Sequence, residues 1–158
     1  MEILAIDPGN MQSAYVLMRD YKPIEFEKID NEEFMFVLKE FLYSGHIDKV
    51  VIEMVASYGL PVGKDVFETC VFIGRIVETC NHIGKPYDFV YRKDVKMNIC
   101  HQMTKVNDAT IRHALINRFA EHDFKTGKGT KKNPDFFYGF GADVWSAYAV
   151  GVTHLDKY

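Results

Sequence analysis

The segment Ile3-Leu4-Ala5-Ile6-Asp7-Pro8-Gly9 decides how this chain is read. Four apolar residues in a row describe a strand buried on both faces, and Pro8-Gly9 stops it at once. Asp7 is left at the strand end, where a carboxylate is costly unless something compensates its charge. The pattern recurs at Lys49-Val50-Val51-Ile52-Glu53, a second buried, parallel strand that also ends on an acid. Between them, residues 13–18 and 24–29 read as two further strands, making a three-stranded meander with the first. Asp30 or Asn31 caps a helix with Glu32 and Glu33 in its first turn and Phe34, Val37, Leu38, Phe41 and Leu42 on its apolar side. That helix should end near Gly45.

Downstream, residues 65–83 read as a helix whose apolar residues, among them Phe67, Cys70, Phe72, Ile73, Ile76 and Val77, cover too broad an arc for one face against a sheet. A second buried face is implied, and Phe67, Cys70, Ile73 and Val77 are assigned to contact with another copy of the chain. Residues 87–91 form a short strand, and Asn107-Asp108 opens a helix carrying Ile111, Leu115 and Phe119. A Gly/Lys/Thr loop at 125–133 reads as flexible. The last helix starts near Ala142-Asp143, with Val144, Ala147, Tyr148, Gly151 and Leu155 at helical spacing. This is an α/β pattern, and no linker divides residues 1–158 into more than one domain.

Composition excludes several classes of protein. With 158 residues, 47% hydrophobic and 26% charged, the chain can bury a core, which rules out disorder and collagen. No apolar run approaches the roughly 18 residues that span a bilayer, and Met1-Glu2-Ile3 does not open a signal peptide. Cys70, Cys80 and Cys100 are odd in number and lack CxxC spacing, so a reduced, cytoplasmic protein without structural zinc is expected. The six histidines form no H-x-H or H-E-x-x-H pattern. Net charge is −3, yet residues 91–133 hold ten Lys or Arg against four acids, a local +6 that leaves −9 on the remainder. A basic segment on an acidic body suits a phosphate-backbone binder with an acidic metal site.

Asp7, Glu53 and Asp143, the last in the first turn of a helix, are the candidate ligands. Hard divalent cations take oxygen donors, so carboxylates converging from different elements suit Mg²⁺, and a pair of such ions can activate water against a phosphodiester. Each acid also has an ordinary role: turn former, strand end, helix N-terminal charge.

The stretches 3–9, 50–53, Tyr91-Arg92-Lys93-Asp94-Val95-Lys96 and Gly141-Ala142-Asp143-Val144-Trp145-Ser146-Ala147 resemble, in order and spacing, the RuvC family of Holliday junction resolvases, in the form of a short, phage-type member. The resemblance implies an RNase H-like fold, a five-stranded mixed sheet flanked by helices. It implies a homodimer that cuts two strands of a four-way DNA junction, or related forks and flaps, with two Mg²⁺ per site and Mn²⁺ as substitute. Asp7, Glu53 and Asp143 match the family's metal-binding acids. The fourth acid, one helical turn past Asp143, is here Ser146, which can hold only a metal-bound water unless Asp135 is borrowed instead. Lys96 and Lys105 match basic residues near the scissile phosphate. Tyr58 stands in for an aromatic that enters the junction centre, while Arg92, Lys93, Arg112, Lys128, Lys131 and Lys132 are the DNA contacts. Two rival readings are a non-catalytic junction-binding module, which Ser146 favours, and an actin-like ATPase or kinase lobe, for which the chain is short and lacks a second phosphate loop.

Overall fold

The computed structural model describes residues 1–158. Five strands form one mixed sheet in the order β3-β2-β1-β4-β5: β1 (Glu2–Asp7), β2 (Gln12–Arg19), β3 (Lys22–Asp30), β4 (Lys49–Met54) and β5 (Tyr87–Tyr91). The first three pair antiparallel as the expected meander. β4 joins β1 and β5 in parallel. Ile3, Leu4, Ala5 and Ile6 and the run Val50-Val51-Ile52 are all buried, as unbroken apolar strands at the centre of a sheet must be.

Helices cover both faces. On one lie α1 (Asn31–Ser44) and α2 (Lys64–Ile83), packed on Leu4, Ile6, Tyr15, Val50 and Ile52. On the other lie α3 (Arg92–Cys100), α4 (Asp108–Phe119) and α5 (Ala142–Lys157), packed on Ile3, Ala5, Ala14, Val16 and Val51. α5 lies close against the sheet because Gly151 has no side chain: a Cβ there would stand 2.2 Å from Met18 Sδ and 3.1 Å from Ala5 Cβ. That contact, two turns along the helix, fixes where Asp143 begins it.

Two expectations need correction. Ile73 is only 2% exposed within the single chain and packs into the α1/α2 core, so it is not available to a partner. Cys70 and Val77 are half-buried on the flanks of α2, and Phe67 is open to solvent. The 125–133 loop, expected to be flexible, is built around two carboxylates. Asp123 accepts N–H bonds from Thr126 and Gly129 at 3.0 and 2.9 Å. Asp135, whose side chain is wholly covered, accepts from Glu121, His122, Asp123 and Phe136 at 2.6–2.9 Å. Burial alone would raise the Asp135 carboxyl, but these four backbone donors outweigh it and hold the group far below the usual range.

Candidate active site

Strand register brings the two strand-end acids side by side. Ile6 pairs with Ile52 in the β1–β4 ladder, so the next residues, Asp7 and Glu53, stand opposite each other on strands about 5 Å apart. Side chains alternate faces along a strand. Ala5 and Val51 point to the α5 side, so Asp7 and Glu53, two residues on, do the same. Across β2 and β3, Asp7 pairs with Ala14 and Ala14 with Lys28, and on the other side Glu53 pairs with Val90. A single row, Lys28-Ala14-Asp7-Glu53-Val90, therefore crosses all five strands beneath the start of α5.

The loop after β1 is held rigidly. Asn31 Nδ2 donates to the Gly9 carbonyl at 2.9 Å, Ser13 Oγ donates to Asn31 Oδ1 at 2.7 Å, and the Gly9 N–H donates to Ser13 Oγ at 3.2 Å. Position 9 must be glycine, because a Cβ would meet the Gln12 carbonyl oxygen at 2.3 Å. Beside this loop an open cleft of about 320 Å³ is lined by Asp7, Gly9, Asn10, Ala14, Lys28 and Asp143. The small Ala14 side chain leaves the room.

Charge is concentrated here. Burial, then the neighbouring Glu53 and Asp143, push the Asp7 carboxyl up to about 8. Burial also raises Glu53, against the pull of the Arg92 guanidinium. Asp143 is ion-paired with Lys28, which raises the lysine. Two half-buried carboxylates side by side on neighbouring strands, each disfavoured in its charged form, are a donor set that a hard divalent cation relieves. Asp7 and Glu53 fit such an ion. Asp143 is near enough to act on Asp7 but is turned to Lys28, so no three ligating groups converge on one point.

Ser146, one turn along α5 from Asp143, lines a niche with Arg92, Asp108, Arg112 and Trp145 and is not among the residues lining the Asp7 cleft. Asp135 cannot replace it, since its oxygens are taken by the loop backbone. Arg112 is half-buried: its guanidinium lies 5.6 Å over the Trp145 ring, and its Nε is covered without an acceptor. Lys28 is ion-paired with Asp143, and the charge of Arg92, itself paired with Asp108, acts on Asp7 and Glu53. Lys96 lies one turn further along the same face of α3, and Lys105 is exposed in the turn between α3 and α4 with φ of 60°.

The remaining candidates divide by exposure. Tyr58 is 57% exposed, and its hydroxyl receives the Lys93 N–H at 3.4 Å, which sets an open aromatic ring beside the start of α3. Lys93, Lys131 and Lys132 are exposed and Lys128 is half-buried. Phe137 and Phe140 are buried against Trp145 at centroid distances of 4.4 and 5.1 Å, which leaves neither ring open to a base.

Sequence reasoning missed three parts of this site: Lys28, Arg92 as the cation of the acid pair, and the Ser13–Asn31 clamp. Arg92 was legible, since it follows Tyr91 at the end of the strand beside Glu53. Lys28 was not. A bulge between Leu17 and Met18 shifts the β2–β3 register by one residue, and without it Glu27 would oppose Ala14.

No protein-family model matches the sequence, and no curated protein matches it. Solved structures do. Thermus thermophilus RuvC in complex with a Holliday junction substrate superposes with a TM-score of 0.70 at 12% identity, over 98% of this chain and 92% of that one. A second Thermus thermophilus RuvC structure gives 0.68 at 14% identity, over 98% and 93%. No helix is long and apolar enough to cross a membrane. Over nearly its whole length, this chain has the RuvC fold, an RNase H-like mixed sheet flanked by helices.

Proposed function

We propose that the chain is a single-domain, metal-dependent endonuclease that resolves Holliday junctions and related branched DNA by paired cuts, working as a homodimer. The observation that carries this is the Asp7–Glu53 pair: two carboxylates set side by side at adjacent strand ends, on the fold of a RuvC seen with a junction. Mg²⁺, with Mn²⁺ as substitute, is the ion. When bound, it supplies Lewis acidity and a water of lowered pKa.

The chain's own residues do the rest. Asp7 and Glu53 would hold the ion, with Asp143 as a third ligand where it is free of Lys28. Arg92 and Lys96, one turn apart on α3, offset the charge that grows on the phosphate, with Lys105 at the rim. Tyr58, Lys93, Lys128, Lys131 and Lys132 contact DNA. The partner chain covers the outer side of α2, where Phe67 and Val71 are 61% and 69% exposed. A phage origin and a place in the host cytoplasm complete the reading.

Ser146 and the Lys28–Asp143 pair favour a second reading, a junction-binding module that does not cut. One experiment separates them: labelled four-way, three-way and linear duplex DNA are incubated with the protein, with and without Mg²⁺, and the cuts mapped. Symmetric Mg²⁺-dependent cuts in the four-way junction support the nuclease. Binding without cleavage in either Mg²⁺ or Mn²⁺ supports the module.

A further inference from the structure

We propose that this centre takes one divalent cation per chain, and that Arg92 supplies the second positive charge that another ion would otherwise bring. The inference rests on the metal-dependent reading above and replaces its expected two ions by one. Three observations lead to it.

The first is position. Arg92 opens α3 directly after β5, and β5 is the strand that flanks Glu53, with Glu53 opposite Val90 and Met54 opposite Tyr91. Its guanidinium carries its positive charge into the niche beside Ala142 and Ser146, at the start of α5. An arginine keeps that charge at every accessible pH, and its planar fork matches the oxygens of a phosphate.

The second is the surroundings of Ser146. A carboxylate one turn past Asp143 would be the natural ligand for a second ion, and the position holds a hydroxyl. Around it stand two guanidiniums, Arg92 and Arg112, against the single carboxylate of Asp108, which is already ion-paired to Arg92. Arg112 Nε is covered and finds no acceptor. A niche with surplus donors and positive charge repels a cation.

The third is the donor count at the cleft. Lys28 holds Asp143 in an ion pair, which leaves two carboxylates, Asp7 and Glu53, side by side without a cationic partner of their own. The two that remain match one divalent ion, leaving Arg92 to face the phosphate. A second divalent ion would add uncompensated charge beside a fixed guanidinium.

Stoichiometry tests this without any reaction. Mn²⁺ binding to the full-length protein is measured by titration calorimetry and by the electron paramagnetic resonance signal of free Mn²⁺. One ion per chain is expected for the wild type and for Arg92→Lys, which keeps the charge. Ser146→Asp alone should still bind one, because the new carboxylate pairs with Arg92 or Arg112. Arg92→Ala combined with Ser146→Asp should bind two, its folding checked by circular dichroism. Two ions of similar affinity in the wild type would overturn the one-ion inference and leave the nuclease reading intact. No bound ion in the wild type would overturn the metal-dependent reading itself. A folded double variant that still binds one ion would show that Arg92 does not stand in for the second.

Discussion

Replacing Asp7 by Asn should stabilise the metal-free protein at pH 8. Asp7 and Glu53 face each other across neighbouring strands, and burial with the Glu53 and Asp143 charges pushes Asp7 from an ordinary 3.8 to about 8. A carboxyl raised in the folded state favours folding while it holds its proton. That contribution is full below about 3.8 and is lost as pH rises through about 8. At about 1.4 kcal/mol per pKa unit, the span gives an upper figure of about 6 kcal/mol. Repulsion between two unit charges about 5 Å apart at an effective dielectric near 20 gives about 3 kcal/mol, which we take as the working value. For a chain of this size, Asp7→Asn should then melt roughly 6–12 °C above wild type in EDTA at pH 8. The gap should close toward pH 4. Adding Mg²⁺ should raise the wild-type melting temperature and leave the variant unmoved, because only the wild type binds the ion tightly. The assay is thermal melting by circular dichroism at several pH values, with and without Mg²⁺. A variant that melts at or below wild type at pH 8 in EDTA would refute the idea of a repelling acid pair.

Ile73→Glu should unfold the chain, by more than about 4 kcal/mol, since it places a charge in the α1/α2 core. Val71→Glu, on the open side of α2, should leave the stability within about 0.5 kcal/mol of wild type and shift sedimentation toward monomers. Lys28→Met frees Asp143 and should tighten Mg²⁺ binding about fivefold, the equivalent of about 1 kcal/mol for a partly exposed ion pair, as read by calorimetry. Asp156 joins Arg118, Asn98 and Tyr21, tying the end of α5 to α4, α3 and the β2–β3 turn. Its carboxyl is lowered to about 2, chiefly by Arg118, so its contribution is present above about 3.8 and lost as pH falls toward 2. Asp156→Ala should therefore cost about 2 kcal/mol at pH 7, and much less at pH 2, by urea unfolding.

Much of this protein could be read from its residues because local pattern and global fold agree. Unbroken apolar runs ending on Asp7 and Glu53 marked the two central parallel strands, and Asn107 caps α4 as expected, accepting the Thr110 N–H at 2.9 Å. α3 escaped notice. It is short and polar, and its N-terminus is closed by Asp94 accepting the Tyr91 N–H rather than by a Ser, Thr or Asn cap. The 125–133 loop looked flexible because glycine, lysine and threonine give no packing signal. What orders it is a pair of aspartates that collect backbone N–H groups, and sequence cannot distinguish such an acid from a metal ligand. Ile73 was given to the partner because an apolar helix with two covered sides looks the same whether the second cover is α1 or another chain. Ile73 is covered within the chain itself, in the core that α1 and α2 share with the sheet.

The central claim is that Asp7 and Glu53 hold the ion that cuts junction DNA. Its most direct test compares wild type, Asp7→Asn and Glu53→Gln on an end-labelled four-way junction in Mg²⁺, with binding measured in parallel. We expect symmetric paired cuts by the wild type, and no cuts by either variant although both still bind the junction through the basic surface. Full cleavage by either variant would contradict the account.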